Sequence, residues 1–120
     1  MNNAGITIDK TVRNMTVADW HDVLLINVSG AFYMIKAVLD HMIDRGSGRI
    51  VNVSSVIGQT GNVGQANYAA SKAALLGMTQ SLALELGRPQ EVARVVRFLL
   101  EDESSYITGA MYSVNGGMFT

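Results

Sequence analysis

The sequence predicts an α/β fold in which three main helices pack on two short strands. Two long segments, 16–45 and 66–86, carry apolar residues three and four positions apart, which is the period of a helix with a buried face. Pro89 begins a third helical segment, because proline is favoured at the first helical position. Two short runs, 49–54 and 110–114, have the length of strands, and the β-branched residues of the first suit a buried parallel strand.

Composition indicates one globular domain. The chain has 120 residues, 48% of them apolar, with a single proline, which allows one modest core and does not suggest disorder. The net charge of −1, with scattered basic residues, predicts no nucleic-acid surface. The absence of cysteine excludes disulfides and thiolate metal sites, and His21 and His41 lack a second ligand at metal spacing. We therefore expect no metal.

The N-terminal residues predict neither export nor membrane insertion. They lack the basic region and apolar core of a signal peptide, and no apolar run is expected to reach membrane-spanning length. We expect a soluble cytoplasmic protein with no membrane partner.

The first helix has a recognisable start and one polar interruption. Residues 1–15 are predicted to be a loop, and Thr16 with Asp19 three positions later forms a capping pattern. Asn27 interrupts the apolar face, and a buried amide must find hydrogen-bond partners. From the sequence alone, Asn27 is most simply a structural residue bonded to a neighbouring carbonyl. Gly30 loosens the helix nearby and suits a local bulge.

The second helix is predicted from Ala66 to Leu86, with Gly87 as the residue after its C-cap. Its apolar residues lie almost all round it, so we expect burial on more than one side. In a single small domain, this pattern implies a partner subunit.

The stretch from Ser54 to Ala74 carries the predicted chemistry. Tyr68 and Lys72 are four positions apart on a helix, which places an ammonium beside a phenol, where a positive charge favours the phenolate. Ser55 follows the predicted strand at the sheet edge where ligands bind in open α/β sheets. A glycine-punctuated loop joins them and lets the backbone approach a ligand. The three side chains predict proton transfer to or from a carbonyl or alcohol, although Tyr-x-x-x-Lys alone is common by chance.

Several motifs together resemble the short-chain dehydrogenase/reductase family. They are Ser55 with Tyr68-Ala-Ala-Ser-Lys72, the segment Asn2-Asn3-Ala4-Gly5, Asn27 within its helix, and Thr108-Gly109 followed by Val114-Asn115-Gly116-Gly117, where Asn115 replaces a common Asp. The chain is most similar to the 3-oxoacyl-acyl-carrier-protein reductases and acetoacetyl-CoA reductases of that family.

The resemblance implies a function and a set of site residues. It implies reduction of a 3-oxoacyl thioester-like carbonyl to an alcohol with NADP or NAD. In this reaction Tyr68 would be the proton donor, and Ser55 would position the carbonyl. Lys72 would stabilise the phenolate form of Tyr68 and hold the nicotinamide ribose. Asn27 would complete a proton relay through a water. The implied sites are catalytic Asn27, Ser55, Tyr68 and Lys72, cofactor-binding Asn3, Ala4, Gly5, Tyr68 and Lys72, and substrate-binding Ser55 and Tyr68.

The sequence departs from the family pattern at two places. No Gly-rich strand–turn–helix for the cofactor pyrophosphate occurs, and Gly87 continues directly into Arg88 where the family has a strand, a turn and substrate-covering helices. We therefore predict a single partial domain, 1–120, that is a remnant of a doubly wound Rossmann-type fold. The expected partners are a small-molecule or acyl-thioester substrate and a second copy, paired through helices 16–45 and 66–86. The alternative is a non-catalytic dimerisation or interaction fragment.

Overall fold

A computed structural model describes residues 1–86 of the chain. These residues belong to two compact units: Met1–Gly77, which contains every predicted site residue, and Met78–Thr120, of which residues 78–86 are described. The predicted helix from Pro89, the predicted strand at 110–114 and the second side of the proposed deletion lie outside the described residues.

The first predicted helix is confirmed as a continuous helical segment. It consists of α1 (Val17–Leu24), a π-helical turn (Leu25–Ser29) and α2 (Gly30–Asp44). The buried residues Val23, Asn27, Ala31 and Ile35 recur every four positions. The buried stripe is narrower than the sequence predicts, because Trp20, Met34 and Val38 of the predicted apolar face remain 38–60% exposed.

The predicted capping box at the start of α1 is also confirmed. The Thr16 hydroxyl accepts a hydrogen bond from the Asp19 amide at 3.0 Å, and the Asp19 carboxylate accepts one from the Thr16 amide at 2.8 Å. The same carboxylate pairs with Lys10 at 2.8 Å. These bonds, the one to Lys10 first, lower the pKa of Asp19 from its ordinary value of 3.8 to about 2.

The bulge predicted near Gly30 is present as the π-helical turn. The Gly30 amide donates to the carbonyl of Leu25, five residues earlier. This turn inserts one extra residue into the helix beside Asn27, which is at its centre and only 1% exposed. The bulge therefore occurs at a predicted functional position, as such turns often do.

The predicted strand at 49–54 is not confirmed. The described structure contains a single parallel bridge there, between Asn52 and Asn2. The Asn2 amide donates to the Val51 carbonyl at 2.7 Å, and the Val53 amide donates to the Asn2 carbonyl at 3.0 Å. A strand needs a neighbour along its length, and among the described residues only Asn2 provides one. This bridge also means that the predicted loop at 1–15 is not entirely irregular.

The segment between the bridge and the second helix contains one element that the sequence analysis missed. A short helix, α3 (Ile57–Thr60), occupies part of the predicted glycine loop. The loop then turns at Gly61 and Gly64, whose φ angles of 71° and 78° favour glycine. The second predicted helix follows as α4 (Ala66–Leu86), which begins at the predicted residue and extends to the last described one. The predicted cap at Gly87 lies outside the described residues.

The inner face of α4 is more polar than its sequence suggests. Its buried residues are Asn67, Ser71, Lys72 and Leu75. Together with Val23, Ala31 and Ile35, Leu75 completes the set of buried apolar residues in the described part of the chain. The core is therefore small, and hydrogen-bonded polar groups occupy much of the space between α4 and the first helical segment.

The prediction that no segment reaches membrane-spanning length is wrong by length and composition. The helical segment Val17–Asp44 is long and apolar enough to cross a membrane. Core helices of soluble proteins pass the same test, so this property alone is weak support for insertion. The prediction that the chain has no membrane partner stays a prediction.

Candidate active site

Lys72 is the most enclosed charged side chain of the candidate site. It lies in α4, is 5% exposed, and its ammonium donates a hydrogen bond to the Val53 carbonyl at 2.8 Å. The Ser54 hydroxyl donates to the Lys72 carbonyl at 2.8 Å, which fastens the helix to the segment that supplies Val53. A buried ammonium is costly unless it is hydrogen-bonded, so these contacts hold the charge in a defined place.

Tyr68 lies one helical turn before Lys72, as the sequence predicts. The Lys72 ammonium is 5.7 Å from the centroid of the Tyr68 ring, within the range of a cation–π contact. The phenol is half-buried, and its hydroxyl forms no hydrogen bond with any residue in the described part of the chain. The structure therefore brings the cation and the phenol together.

Ser55 is held at the start of α3. Its hydroxyl oxygen accepts a hydrogen bond from the Ile57 amide at 3.2 Å, and no hydrogen bond within residues 1–86 joins it to Tyr68 or Lys72. Gly58 packs α3 against α4, since a Cβ atom there would lie 2.8 Å from the Lys72 carbonyl carbon. The turn that begins with Ser55 thus packs on the helix that carries Lys72, and within residues 1–86 Ser55 forms no hydrogen bond with Tyr68 or Lys72.

Asn27 joins the N-terminal segment to the first helical segment, in which it lies, and to α4. Its side-chain oxygen accepts from the Ile6 amide at 2.8 Å, and its side-chain nitrogen donates to the Ile6 carbonyl at 3.0 Å and to the Ser71 hydroxyl at 3.0 Å. A Cβ atom at Gly5 would lie 3.3 Å from the Asn27 oxygen and 3.6 Å from the Lys72 nitrogen. Gly5, Asn27 and Lys72 therefore meet, whereas Asn3 and Ala4 are exposed beside them.

Comparison with known proteins identifies the family of the chain. A family model described as short chain dehydrogenase matches residues 1–97, and one described as enoyl-(acyl carrier protein) reductase matches residues 85–119. The chain belongs to the short-chain dehydrogenase family.

Curated relatives within the family are similar over almost the whole chain. The 3-oxoacyl-acyl-carrier-protein reductase FabG of Aquifex aeolicus is 42% identical, over 99% of this chain and 64% of its own length. The FabG of Salmonella typhimurium is 38% identical, and the acetoacetyl-CoA reductase of Allochromatium vinosum is 37% identical, each over 99% of this chain and 65% of its own length.

The chain thus spans about two thirds of the length of these relatives, and the Aquifex alignment extends over 159 positions, more than the 120 residues of the chain. The relative therefore has residues within the aligned region that this chain lacks. The alignment does not locate them, so a deletion between Gly87 and Arg88 stays a prediction.

The described residues fit one end of a nicotinamide dinucleotide. The Lys72 ammonium has three N–H donors, of which the Val53 carbonyl accepts one, so others can hold ribose hydroxyls. Gly5 has no side chain beside this ammonium, and adding one would fill the approach. Among residues 1–86, this short-chain dehydrogenase has no glycine-rich turn that would hold the pyrophosphate.

Two buried residues were missed in the sequence analysis. Ser71 accepts the hydrogen bond from Asn27 and donates one to the Tyr68 carbonyl at 2.7 Å. Asn67 donates to the carbonyls of Ile8 and Asp19 at 3.1 and 3.3 Å. A signal was available, since polar residues four apart, continuing to Leu75, mark one face of an otherwise apolar helix.

Proposed function

We propose that the chain carries the proton-transfer site of an NAD(P)-dependent oxidoreductase that reduces the carbonyl of a 3-oxoacyl thioester to an alcohol. The observation that carries this proposal is the buried Lys72 ammonium, 5.7 Å from the centre of the Tyr68 ring, beside a phenol hydroxyl that bonds to no described residue. The substrate class is taken from relatives named as 3-oxoacyl-acyl-carrier-protein and acetoacetyl-CoA reductases.

Each residue has a role in this reaction. Tyr68 gives its hydroxyl proton to the carbonyl oxygen as the C=O π bond breaks, and the positive charge of Lys72 stabilises the phenolate that remains. Ser55 donates a hydrogen bond to the same oxygen and so positions the carbonyl. Asn27 supports the return of a proton to Lys72 through a water at its backbone carbonyl. When bound, the reduced cofactor, NADPH or NADH, would supply the hydride that forms the new C–H bond and would be left as NADP or NAD.

The cofactor would be held by the residues that converge on Lys72. We assign Asn3, Ala4 and Gly5 to the backbone surface beside the nicotinamide, with Lys72 and Tyr68 at the ribose. The position of Gly5 supports this assignment, because a Cβ atom there would lie 3.3 Å from the Asn27 oxygen and 3.6 Å from the Lys72 nitrogen. A cytoplasmic location is proposed with it.

Turnover by the full chain tests the proposal. Purified chain is mixed with NADPH or NADH and acetoacetyl-CoA, and cofactor oxidation is followed by absorbance. We expect Tyr68→Phe to lower the rate by roughly 10²–10⁴-fold, which is the usual contribution of a positioned acid or base. Tyr33→Phe is the matched control, because Tyr33 is a surface tyrosine, 59% exposed in α2. Absence of cofactor oxidation by the unmodified chain would refute the proposal.

A second candidate is a non-catalytic interaction module. It is favoured by the large apolar side chains that remain exposed along the first helical segment, among them Leu25, Phe32, Tyr33 and Met34, each at least 50% exposed. Large exposed apolar patches mark interaction sites. A second copy of the chain is the proposed partner, in agreement with the prediction from the apolar helices.

Size-exclusion chromatography with light scattering tests this candidate. We expect the unmodified chain to be a dimer or larger, and Met34→Glu to shift it towards the monomer because the charge would be desolvated in the interface. Val63→Glu is the control, since Val63 is 89% exposed in the loop before α4. A monomeric unmodified chain at micromolar concentration would contradict the candidate.

A further inference from the structure

Ser71 is fully buried at the centre of the candidate site, although it touches none of the expected ligands. Its relative exposure is 0%. Its hydroxyl donates to the Tyr68 carbonyl at 2.7 Å and accepts from the Asn27 side-chain nitrogen at 3.0 Å. A serine hydroxyl has one proton to donate, so the bond to Tyr68 leaves only acceptor capacity towards Asn27.

This arrangement fixes which way the Asn27 amide faces. Only the nitrogen end of the amide can bond to Ser71, because the one hydroxyl proton is already engaged with Tyr68. The other end then presents the oxygen to the Ile6 amide, and the remaining N–H faces the Ile6 carbonyl. A reversed amide would oppose donor to donor at the Ile6 amide and acceptor to acceptor at the Ile6 carbonyl, and would leave these two half-buried groups without this partner.

The orientation of Asn27 in turn determines where the N-terminal segment lies. Ile6 is held at both its N–H and its C=O by Asn27. A Cβ atom added at the preceding residue, Gly5, would lie 3.3 Å from the Asn27 oxygen and 3.6 Å from the Lys72 nitrogen. Within the described residues, hydrogen bonds therefore connect Ser71 through Asn27 to Ile6, the neighbour of Gly5.

We propose that Ser71 is a positioning residue of this site. It holds the Asn27 amide in the orientation that clamps Ile6, and thereby keeps the Gly5 backbone at a fixed distance from the Lys72 ammonium. The importance of this role for catalysis rests on the proposed function. The clamp itself, meaning the two hydrogen bonds between Asn27 and Ile6, is a property of the folded chain. Its test therefore begins with a measurement that does not depend on turnover.

Hydrogen exchange of the Ile6 amide, followed by NMR on the full chain, reports the clamp directly. In Ser71→Ala we expect this amide to exchange roughly tenfold faster, the change that corresponds to losing a hydrogen bond of about 1.4 kcal/mol. The Ala31 amide in α2 is the internal reference, because a general loss of stability would accelerate both amides together. Ser81→Ala is the matched control, since Ser81 is exposed in the same helix.

The outcomes separate a positioning role from a structural one. Selective acceleration of Ile6 supports the proposal, and equal acceleration of Ile6 and Ala31, or no change at Ile6, overturns it. If Ser71→Ala does not fold, Ser71→Cys gives the same comparison, because a thiol of similar size is a weaker acceptor and a smaller acceleration is expected.

Kinetics then connect the clamp to the proposed reaction. In the acetoacetyl-CoA assay, Ser71→Ala is expected to lower kcat by roughly tenfold with little change in KM, since a small misplacement of reacting groups can cost up to ~10²-fold. A chain without any turnover would refute the proposed function, and the Ile6 measurement would still decide the role of Ser71. Unchanged kcat in an active chain would refute positioning in catalysis.

Discussion

The charge on Lys72 is held by neutral groups, and this determines what it can do. Its ammonium bonds to the Val53 carbonyl and faces the Tyr68 ring, while the ion pair of the described residues joins Lys10 to Asp19 elsewhere. A carboxylate partner would cancel most of the field that Lys72 exerts. With a carbonyl as its partner, the positive charge remains available to a phenolate or to ligand oxygens.

Two glycines near this charge allow a matched test of packing. A Cβ atom at Gly58 would lie 2.8 Å from the Lys72 carbonyl carbon and 2.9 Å from the Ala73 nitrogen, both backbone atoms that cannot move aside. Gly58→Ala should therefore destabilise the chain by about 1–3 kcal/mol, the usual cost of overpacking.

Gly77→Ala is the matched change in α4, where the added carbon meets no described atom within 4 Å. It should stabilise by about 0.5–1 kcal/mol because alanine favours the helix. Urea unfolding followed by circular dichroism measures both variants. Equal effects of the two substitutions would contradict the close approach of α3 to α4.

Residue spacing explains which site residues could be predicted. Tyr68 and Lys72 are neighbours because the helix itself brings them together, so the sequence is sufficient. Ser71 and Gly58 depend on contacts with residues 44 and about 15 positions away, between elements whose packing the sequence does not specify. The predicted involvement of Asn27 came from a family resemblance, and its partners Ile6 and Ser71 became known only from the structure.

Among the elements, helices were predicted better than strands because their bonds are local. The capping box at Thr16, the bulge at Gly30 and the start of α4 at Ala66 are encoded within a few residues and are confirmed. The run at 49–54 has strand-like residues, but a strand also requires neighbours, and the described structure provides only the bridge to Asn2. The predicted remnant of a Rossmann-type sheet is therefore represented by one bridge in residues 1–86.

Asp19, at the start of α1, makes the free energy of unfolding depend on pH in a predictable direction. The pKa of Asp19 is lowered from 3.8 to about 2 in the folded chain, so the unfolded chain binds a proton there first as the pH falls. The stabilisation from Asp19 is complete above pH ~4 and is lost as the pH falls towards 2. Asp19→Asn should lack this component and show a flatter stability profile between pH 4 and 2, measured by urea unfolding at each pH.

The control for this effect is Asp22→Asn, because Asp22 is exposed in the same helix and is absent from the bonds that link Lys10, Thr16 and Asp19. Its profile is expected to follow that of the unmodified chain. If Asp19→Asn and Asp22→Asn had the same acid dependence, the capping box and the Lys10 pair would not account for the sensitivity.

For the whole molecule, the notable property is how little apolar surface the described residues bury. Four buried apolar residues, Val23, Ala31, Ile35 and Leu75, contrast with a longer set of exposed large hydrophobic side chains. A small core gives limited stability on its own. Either a second copy or lipid can cover the exposed surface of the first helical segment. The two possibilities differ in whether the hydrogen bonds of Asn27 are kept.

Insertion of Val17–Asp44 into a bilayer would have to break contacts that the fold depends on. Asn27, near the middle of this segment, would lose its bonds to Ile6 and Ser71. Lys36 and Asp40 would enter the bilayer, and a charged side chain at the bilayer centre costs about 2.5–3.5 kcal/mol. Pairing with a second copy leaves these contacts intact.

In a flotation assay with phosphatidylcholine vesicles, we therefore expect the chain to stay in the dense aqueous fraction, and light scattering of that fraction to give the mass of a dimer or larger assembly. Flotation with the vesicles would show that the polar contacts of Asn27 do not retain the helix in a soluble fold.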